Sequence, residues 1–518
     1  MSDHGTPPGS SLSEQLALDR FVLSPAQHRP NSAADRWMRR LGLPIGALVF
    51  FLLLLAPRAD GLTAAGQAAA ASFALALIWW IAEPIPTHVT SLALMVLLVV
   101  SRADSATSVM SVLGLDVIWL NVMAFILSAM LVKTRLAKRL ALYLILHFGR
   151  RASWALGAFV VLQLALAPLI PATAARTVLT LPLMIAVASI YGATAEHNTN
   201  FGRNLFLLNL VAISVLSSTV MTGSAANLMA VGFIQTLGGH HVYYTDWLFA
   251  AAPVAVLTVV LAWAIGPRWI FPVPAAEQVP VIAGGLEAVA AERQRLGPLT
   301  AVQWRAIAIF ALVLFLWATD RYQARWFGLE IGAPIAAVIG ATIALLPRVG
   351  VISWEDTEIP WHLMIFSAGA YAGGLALEKS GAAAWGVHRV FDGMHLEQLA
   401  FGWTYAIVLA VMLYSHLLST SKTVRTVIMI PAIILLARGL GWDPVSLALP
   451  AAFAIDWVIG LPISGKPNVI LFGTNQFSVS DNVKYGLTVC TIGYFLLLLA
   501  GATWFHWLGL TPAFSALP

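Results

Sequence analysis

The feature that most narrows what this chain can become is a series of apolar segments long enough to cross a lipid bilayer. They lie near 43–57, 66–82, 87–101, 117–133, 152–170, 203–221 and 247–266. After one polar interruption others follow near 303–319, 331–347, 361–377, 398–418, 445–461 and 485–509. Shorter apolar stretches at 139–148, 178–190, 226–238, 427–437 and 468–474 read as half-helices or parts of longer spans. A transmembrane helix needs about 20 mostly apolar residues, so about 10 to 14 spans are expected. Composition agrees: 59% of the 518 residues are hydrophobic and 10% are charged, against roughly 25% charged in soluble domains. The expected class is an all-α polytopic protein whose solvent is largely the lipid bilayer.

The first 35 residues are polar, rich in Ser and Pro, and without the apolar core of a cleaved signal peptide. Residues 1–42 are therefore expected to form a disordered tail. Arg36, Arg39 and Arg40 precede the first span, and the positive-inside rule places such a tail in the cytoplasm. The protein is then expected to be a multi-pass protein of the cell's inner membrane. The polar segment 267–302 mixes Arg268, Arg293 and Arg295 with Glu277, Glu287 and Glu292. The single cysteine, Cys490, excludes a disulfide within the chain and a cysteine metal cluster. No metal and no cofactor are expected. The net charge of +5 comes largely from Lys and Arg flanking the spans, such as Arg135, Lys138, Arg139, Arg150 and Arg151, so no nucleic-acid partner is expected. No nucleotide motif is visible, which argues against transport driven by ATP.

The chain repeats itself weakly. Arg176-Thr177-Val178 and Pro182 recur as Arg425-Thr426-Val427 and Pro431 at an offset of 249, and Ile185 and Ala188 recur as Ile434 and Ala437. Asn227 is followed by Asn468 at an offset of 241, and Trp119 by Trp361 at 242. These landmarks divide the chain into a first membrane repeat, 43–266, a joining loop, 267–302, and a second repeat, 303–518. Duplicated membrane proteins with interrupted helices in matching places are typically secondary transporters that bind substrate where the repeats meet. Breaks are expected around Pro168, Pro171 and Thr173, across Ser419-Thr420-Ser421-Lys422-Thr423, and at Gly223-Ser224 and Ser464-Gly465. Irregular backbone at membrane depth is tolerated only inside protein or beside a watery cavity.

Charge collects at those breaks. Arg176, Lys422, Arg425 and Lys466 lie within or beside them, and the nearest acid in sequence is Asp456. Each charge costs about 2.5–3.5 kcal/mol at a helix centre on insertion scales. Excess positive charge beside helix N-termini makes an anion site. Thr173, Ser224, Ser421, Thr423 and Ser464 offer hydroxyls, and Asn227 and Asn468 offer amides, to carboxylate or sulfate oxygens. Plainer readings stand beside this one. The arginines also suit snorkelling or helix-end capping, Lys466 a simple pair with Asp456, and the hydroxyls back-bonding to their own helices. His88, His362 and His416 read as structural or interfacial, and Trp79, Trp80, Tyr243 and Tyr244 as an interfacial belt.

The chain also resembles the divalent anion:sodium symporter family, which includes dicarboxylate, citrate and sulfate carriers. Trp79-Trp80-Ile81-Ala82-Glu83-Pro84-Ile85-Pro86 resembles the family's early segment. Leu461-Pro462-Ile463-Ser464-Gly465-Lys466-Pro467-Asn468-Val469-Ile470, with Phe472-Gly473-Thr474, Asp481 and Gly486, is similar to its late Pro-Pro-Asn signature, and Gly223-Ser224-Ala225-Ala226-Asn227 to the earlier copy. The resemblance implies an inverted-repeat transporter with two re-entrant hairpins, working as a homodimer by an elevator movement. It also implies a Ser-Asn-Thr motif at each hairpin tip that touches substrate and sodium. Here those positions read Ala172-Thr173-Ala174 and Ser421-Lys422-Thr423, and Lys466 replaces the first proline of the late signature. An ammonium has three donors and no acceptor, so Lys422 repels sodium and supplies a fixed charge instead. The expected function is sodium-independent carriage of a small anion, most simply a di- or tricarboxylate, by exchange or by proton coupling through Asp456. A sodium-coupled dicarboxylate or sulfate symporter is the alternative, and an anion channel or non-transporting sensor is the alternative of another class. No nucleophile–base pair points to an enzyme.

Overall fold

A computed structural model of the chain describes residues 33–194, 197–282, 284–329, 331–386, 389, 399–417 and 421–518. Every regular element among them is helical. The first part comprises α1 (Ala33–Leu55), α2 (Ala64–Ala82), α3 (Thr87–Val100), α4 (Asp116–Lys133) and α5 (Leu136–Phe148), then α6 (Ala152–Leu166), α7 (Thr173–Ile190), α8 (Asn200–Val215), α9 (Ala225–Thr236) and α10 (Tyr244–Ile265). After α11 (Gly285–Arg295) come α12 (Ala301–Ala318), α13 (Gly332–Leu345), α14 (Trp361–Lys379), α15 (Phe401–Tyr414), α16 (Lys422–Gly439), α17 (Pro444–Ala454), α18 (Lys466–Phe472) and α19 (Val479–Ala502).

Among the described residues, eight helices are long and apolar enough to cross a membrane, and six further apolar helices have 10–17 residues. Three of the short ones, α6, α9 and α17, border interruptions: 167–172 separates α6 from α7, 216–224 separates α8 from α9, and 455–465 separates α17 from α18. The same succession, two consecutive helices and then one broken helix, occurs in both parts. Packing follows the same scheme. α2 packs on α3 as α12 packs on α13, α3 packs on α14 as α13 packs on α4, and α9 packs on α16 as α18 packs on α7.

Three expectations need correction. The expected tail, 1–42, is helical from Ala33 onward, because α1 runs through Pro44 without a break; residues 1–32 lie outside the described residues. Segment 267–302 is not a simple loop, because it contains α11 and is stitched to its surroundings. Lys138 and Glu292 form a buried ion pair of 2.7 Å, and Arg139 donates to the carbonyls of Leu296, Gly297 and Pro298 at the end of α11. The segment also reaches the neighbouring bundle: Glu277 accepts from the Phe201 amide at 2.7 Å, and Val281 and Ile282 donate to the Ile190 carbonyl. Finally, Trp80 and Tyr244 belong to the core and not to an interfacial belt. Trp80 packs edge-on against Phe73 and Phe366, and Tyr244 stacks on Trp317. In the connection between α13 and α14, the ammonium of Lys133 and the amide and hydroxyl of Ser353 hold the Asp356 carboxyl down to about 2.

Candidate functional site

The site is built where the starts of α7 and α16 meet the two breaks. Thr173 opens α7 and Lys422 opens α16. The two face each other: Lys422 Nζ donates to Thr173 Oγ1 at 3.2 Å across 249 residues of sequence. The breaks touch as well, because Trp457 Nε1 donates to Ser218 Oγ at 3.1 Å. A helix break leaves orphan carbonyls and amides that need partners, and the side chains singled out in the sequence supply most of them.

Each of the two recurring asparagines ties its own break in the same way. Asn227 Nδ2 donates to the carbonyls of Ser217 (2.9 Å) and Val220 (3.2 Å). Asn468 Nδ2 donates to those of Val458 (2.9 Å) and Leu461 (2.8 Å). In both cases the partners lie 10 and 7 residues upstream. Ser224 caps α9 by accepting from the Asn227 amide, and Ser421 caps α16 by accepting from the Val424 amide. Ser464 instead donates to the His416 carbonyl, while the His416 ring accepts from the Gly460 amide at 3.0 Å. His416 is thus a buried brace of the second break. Pro467 is buried in the first turn of α18, and the Thr423 hydroxyl lies 3.1 Å from that of Ser421.

The two arginines related by the 249-residue offset are both caged, though not by equivalent residues. Arg176 is fully buried and donates to the carbonyls of Ile213 (3.2 Å) and Gly223 (3.3 Å) and to the Ser217 hydroxyl. Arg425, equally buried, donates to the carbonyls of Ile455 (3.4 Å) and Met412 and to the Ser415 hydroxyl at 2.9 Å. Each guanidinium therefore satisfies two backbone carbonyls and one serine. Of the plainer readings, capping of helix ends describes both arginines, and snorkelling describes neither. Ser217 and Ser415 were not foreseen, since an isolated serine in an apolar run carries no signal of its partner.

Lys422 makes the remaining ion pair, at 2.6 Å from Asp456 Oδ1. The pairing of Asp456 with Lys466 is thereby corrected: Lys466 is exposed at the start of α18, and among the described residues Asp456 pairs with Lys422 alone. Several buried atoms keep unused capacity, namely Arg176 Nε and Nη1, Asp456 Oδ2, Asn227 Oδ1 and Asn468 Oδ1. Buried polar groups are paired in the great majority of cases, and these five are exceptions gathered around the two breaks. Ser419 and Thr420, also expected at this tip, lie outside the described residues. No group of three or more metal-ligating His, Cys, Asp or Glu side chains occurs among the described residues.

Comparisons with known proteins identify the family. Residues 36–511 match the family described as the sodium:sulfate symporter transmembrane region. A membrane protein of Cupriavidus necator is 27% identical over 488 residues, covering 90% of this chain and 93% of the relative. The sodium-dependent dicarboxylate transporter SdcS of Staphylococcus saprophyticus is 26% identical over 477 residues, covering 89% and 90%. Among solved structures, the YdaH transporter of Alcanivorax borkumensis, described as having an unusual topology, superposes with a TM-score of 0.54 at 13% identity, over 93% of this chain and 99% of that one. The chain belongs to the sodium:sulfate symporter family of multi-pass membrane transporters, and it is a carrier of small anions, not an enzyme.

Proposed function

We propose that this protein is a sodium-independent exchanger of small dianions, a dicarboxylate before all others, bound between the turns and breaks of two inverted repeats. The single observation that carries this reading is that a buried guanidinium reaches each break. Arg176 holds the carbonyls of Ile213 and Gly223 and the Ser217 hydroxyl, and Arg425 holds the Ile455 carbonyl together with the Met412 carbonyl and Ser415 hydroxyl at the end of α15. Such an oxygen set also suits an alkali cation, and here fixed charge already holds it. Arg176, Arg425 and Lys422 against Asp456 leave the buried core with a net charge of +2. A sodium ion added 4 Å from one of these cations is opposed by about 4 kcal/mol at an effective dielectric constant of 20. A dianion instead neutralises the core. Loaded, the core crosses the low-dielectric interior without net charge; empty, it does not. Obligatory exchange follows from that difference.

The substrate contacts in this reading are the free edge of Arg176 and the Lys422 ammonium, flanked by Thr173, Thr423 and Lys466. The resemblance further supports a homodimer and an elevator movement in the inner membrane, with the N-terminus cytoplasmic.

A sodium-coupled dicarboxylate symporter is the second reading, favoured by a specific observation. Asn227 Oδ1 and Asn468 Oδ1 are buried acceptors without a donor, which suits a cation, and a relative bears the name sodium-dependent dicarboxylate transporter. Proteoliposome uptake of labelled succinate separates the two. Uptake that requires internal succinate and ignores sodium supports exchange; uptake driven by a sodium gradient with no internal anion rejects it.

A further inference from the structure

Outside the site, one surface feature has a definite shape. α1 packs on α2, and α2 packs on α3, whereas α1 and α3 diverge. The divergence leaves a trough of about 430 Å³ with α2 as its floor, lined by apolar side chains that include Ala47, Phe51, Trp79, Leu92, Ala93 and Val96. Small residues make the hollow. Ala47 and Ala93 line it without filling it, while Gly46 lets the Trp79 indole press against α1 and donate to the Leu43 carbonyl at 3.2 Å. Phe51, Leu92 and Val96 are about half exposed along its walls.

Charge stands at one end of this trough. Arg40 lies seven residues before Ala47, which puts it on the same face of α1 and about 10 Å along the axis. It is exposed and has no ion pair among the described residues. Its neighbour Arg39 is 3.9 Å from Glu83, at the end of α2. An apolar channel running along the helices and ending at a cation about two turns away has the layout of a lipid: acyl chain below, phosphate above.

We propose that the α1–α2–α3 trough is a binding site for an anionic phospholipid, its acyl chain lying along Ala47, Trp79 and Ala93 and its phosphate on Arg40. The contacts are graded. The chain positions are indifferent to headgroup, and Arg40 supplies the preference for an anionic over a zwitterionic lipid. The site is separate from the anion core and does not depend on which anion is carried.

Native mass spectrometry and thermal unfolding of the purified full chain test this, with phosphatidylglycerol and phosphatidylcholine of identical acyl chains as probes. Phosphatidylglycerol is expected to stay bound longer and to raise Tm by several degrees more than phosphatidylcholine. Arg40→Gln is expected to abolish that difference while leaving Tm without lipid unchanged. Ala93→Trp, which fills the trough, is expected to lower retention of both lipids while succinate uptake persists. Equal phosphatidylglycerol retention by wild type and Arg40→Gln overturns the proposal. So does efficient disulfide cross-linking of two copies through Val96→Cys, since a second copy then covers the trough; the native Cys490 is buried and does not confuse that readout.

Discussion

At the first break, Arg176 serves two carbonyls and Ser217, and Asn227 ties the carbonyls 10 and 7 residues before it. At the second, Asn468 ties carbonyls at the same two spacings, but Arg425 reaches the break only through the Ile455 carbonyl and finds Met412 and Ser415 at the end of α15. The asparagine ties agree bond for bond; the arginine contacts and the charges around them do not. Lys422 stands opposite Thr173 at the 249-residue offset, and at the 241-residue offset Asp456 corresponds to Val215 and Lys466 to Ala225. The first break is thus a neutral setting around one arginine, while the second adds two lysines and an aspartate. The shared frame solves a problem common to every broken helix, the orphan backbone groups. The unshared charges are free to serve a ligand, and they are where substrate preference and coupling are set.

Breaking the shared part has the largest expected effect. Arg176→Ala and Arg425→Ala each strand two buried carbonyls, and each stranded group costs about 1–3 kcal/mol. Exchange of labelled succinate is expected to fall roughly 100-fold or more in both. A large loss in one variant alone separates the two frames in function. Lys422→Asn removes only the unshared part. Succinate affinity, measured by binding at equilibrium, is expected to fall roughly 10- to 100-fold, the worth of one or two charged hydrogen bonds. Sodium is expected to restore part of it; no restoration limits Lys422 to contact with substrate.

Asp456→Asn acts in the opposite direction. It deletes the one anion in the core and releases Lys422, so succinate is expected to bind about tenfold more tightly, because repulsion of a dianion by a charge roughly 10 Å away is about 3 kcal/mol at a dielectric constant of 20 before relaxation. Proton movement with substrate that survives this change removes Asp456 from any proton-coupled scheme. Lys466→Ala is the mildest test. An exposed lysine contributes about 0.2–1 kcal/mol, so the half-saturation concentration for uptake is expected to rise no more than about fivefold, and a larger rise places Lys466 directly on the substrate.

Much of this frame was legible in the sequence, and for identifiable reasons. Asn227, Asn468, Arg176 and Arg425 recur at fixed offsets, and each lies beside a Gly, Ser or Pro interruption of an apolar run. What the side chains bond to was not legible. The partners of both arginines are mostly backbone carbonyls, which every residue possesses, so no pattern announces Ile213, Gly223, Met412 or Ile455. The sequence offers Asp456 a plain partner in the lysine 10 residues away. The structure gives it the lysine 34 residues away, because the first residue of α16 lies against the break. The helical content of 285–295 was masked by its polarity: α11 buries a single apolar side chain, Val289, with Leu286 and Ala288 half-buried beside it, and is otherwise held by Lys138 and Arg139 from α5.

The contact between Thr173 and Lys422 also bears on the order in which this chain was assembled. A half-length ancestor pairing with a second copy of itself would already own both asparagine ties, because each copy brings one. It could not own the present tip-to-tip contact. Identical subunits carrying the lysine would set lysine against lysine at that point, with a repulsion of about 4 kcal/mol at 4 Å and a dielectric constant of 20. The pairing of a threonine with a lysine requires that the two halves differ. On this view the asparagine ties are the older inheritance, and the Thr173–Lys422 contact dates from after the halves diverged.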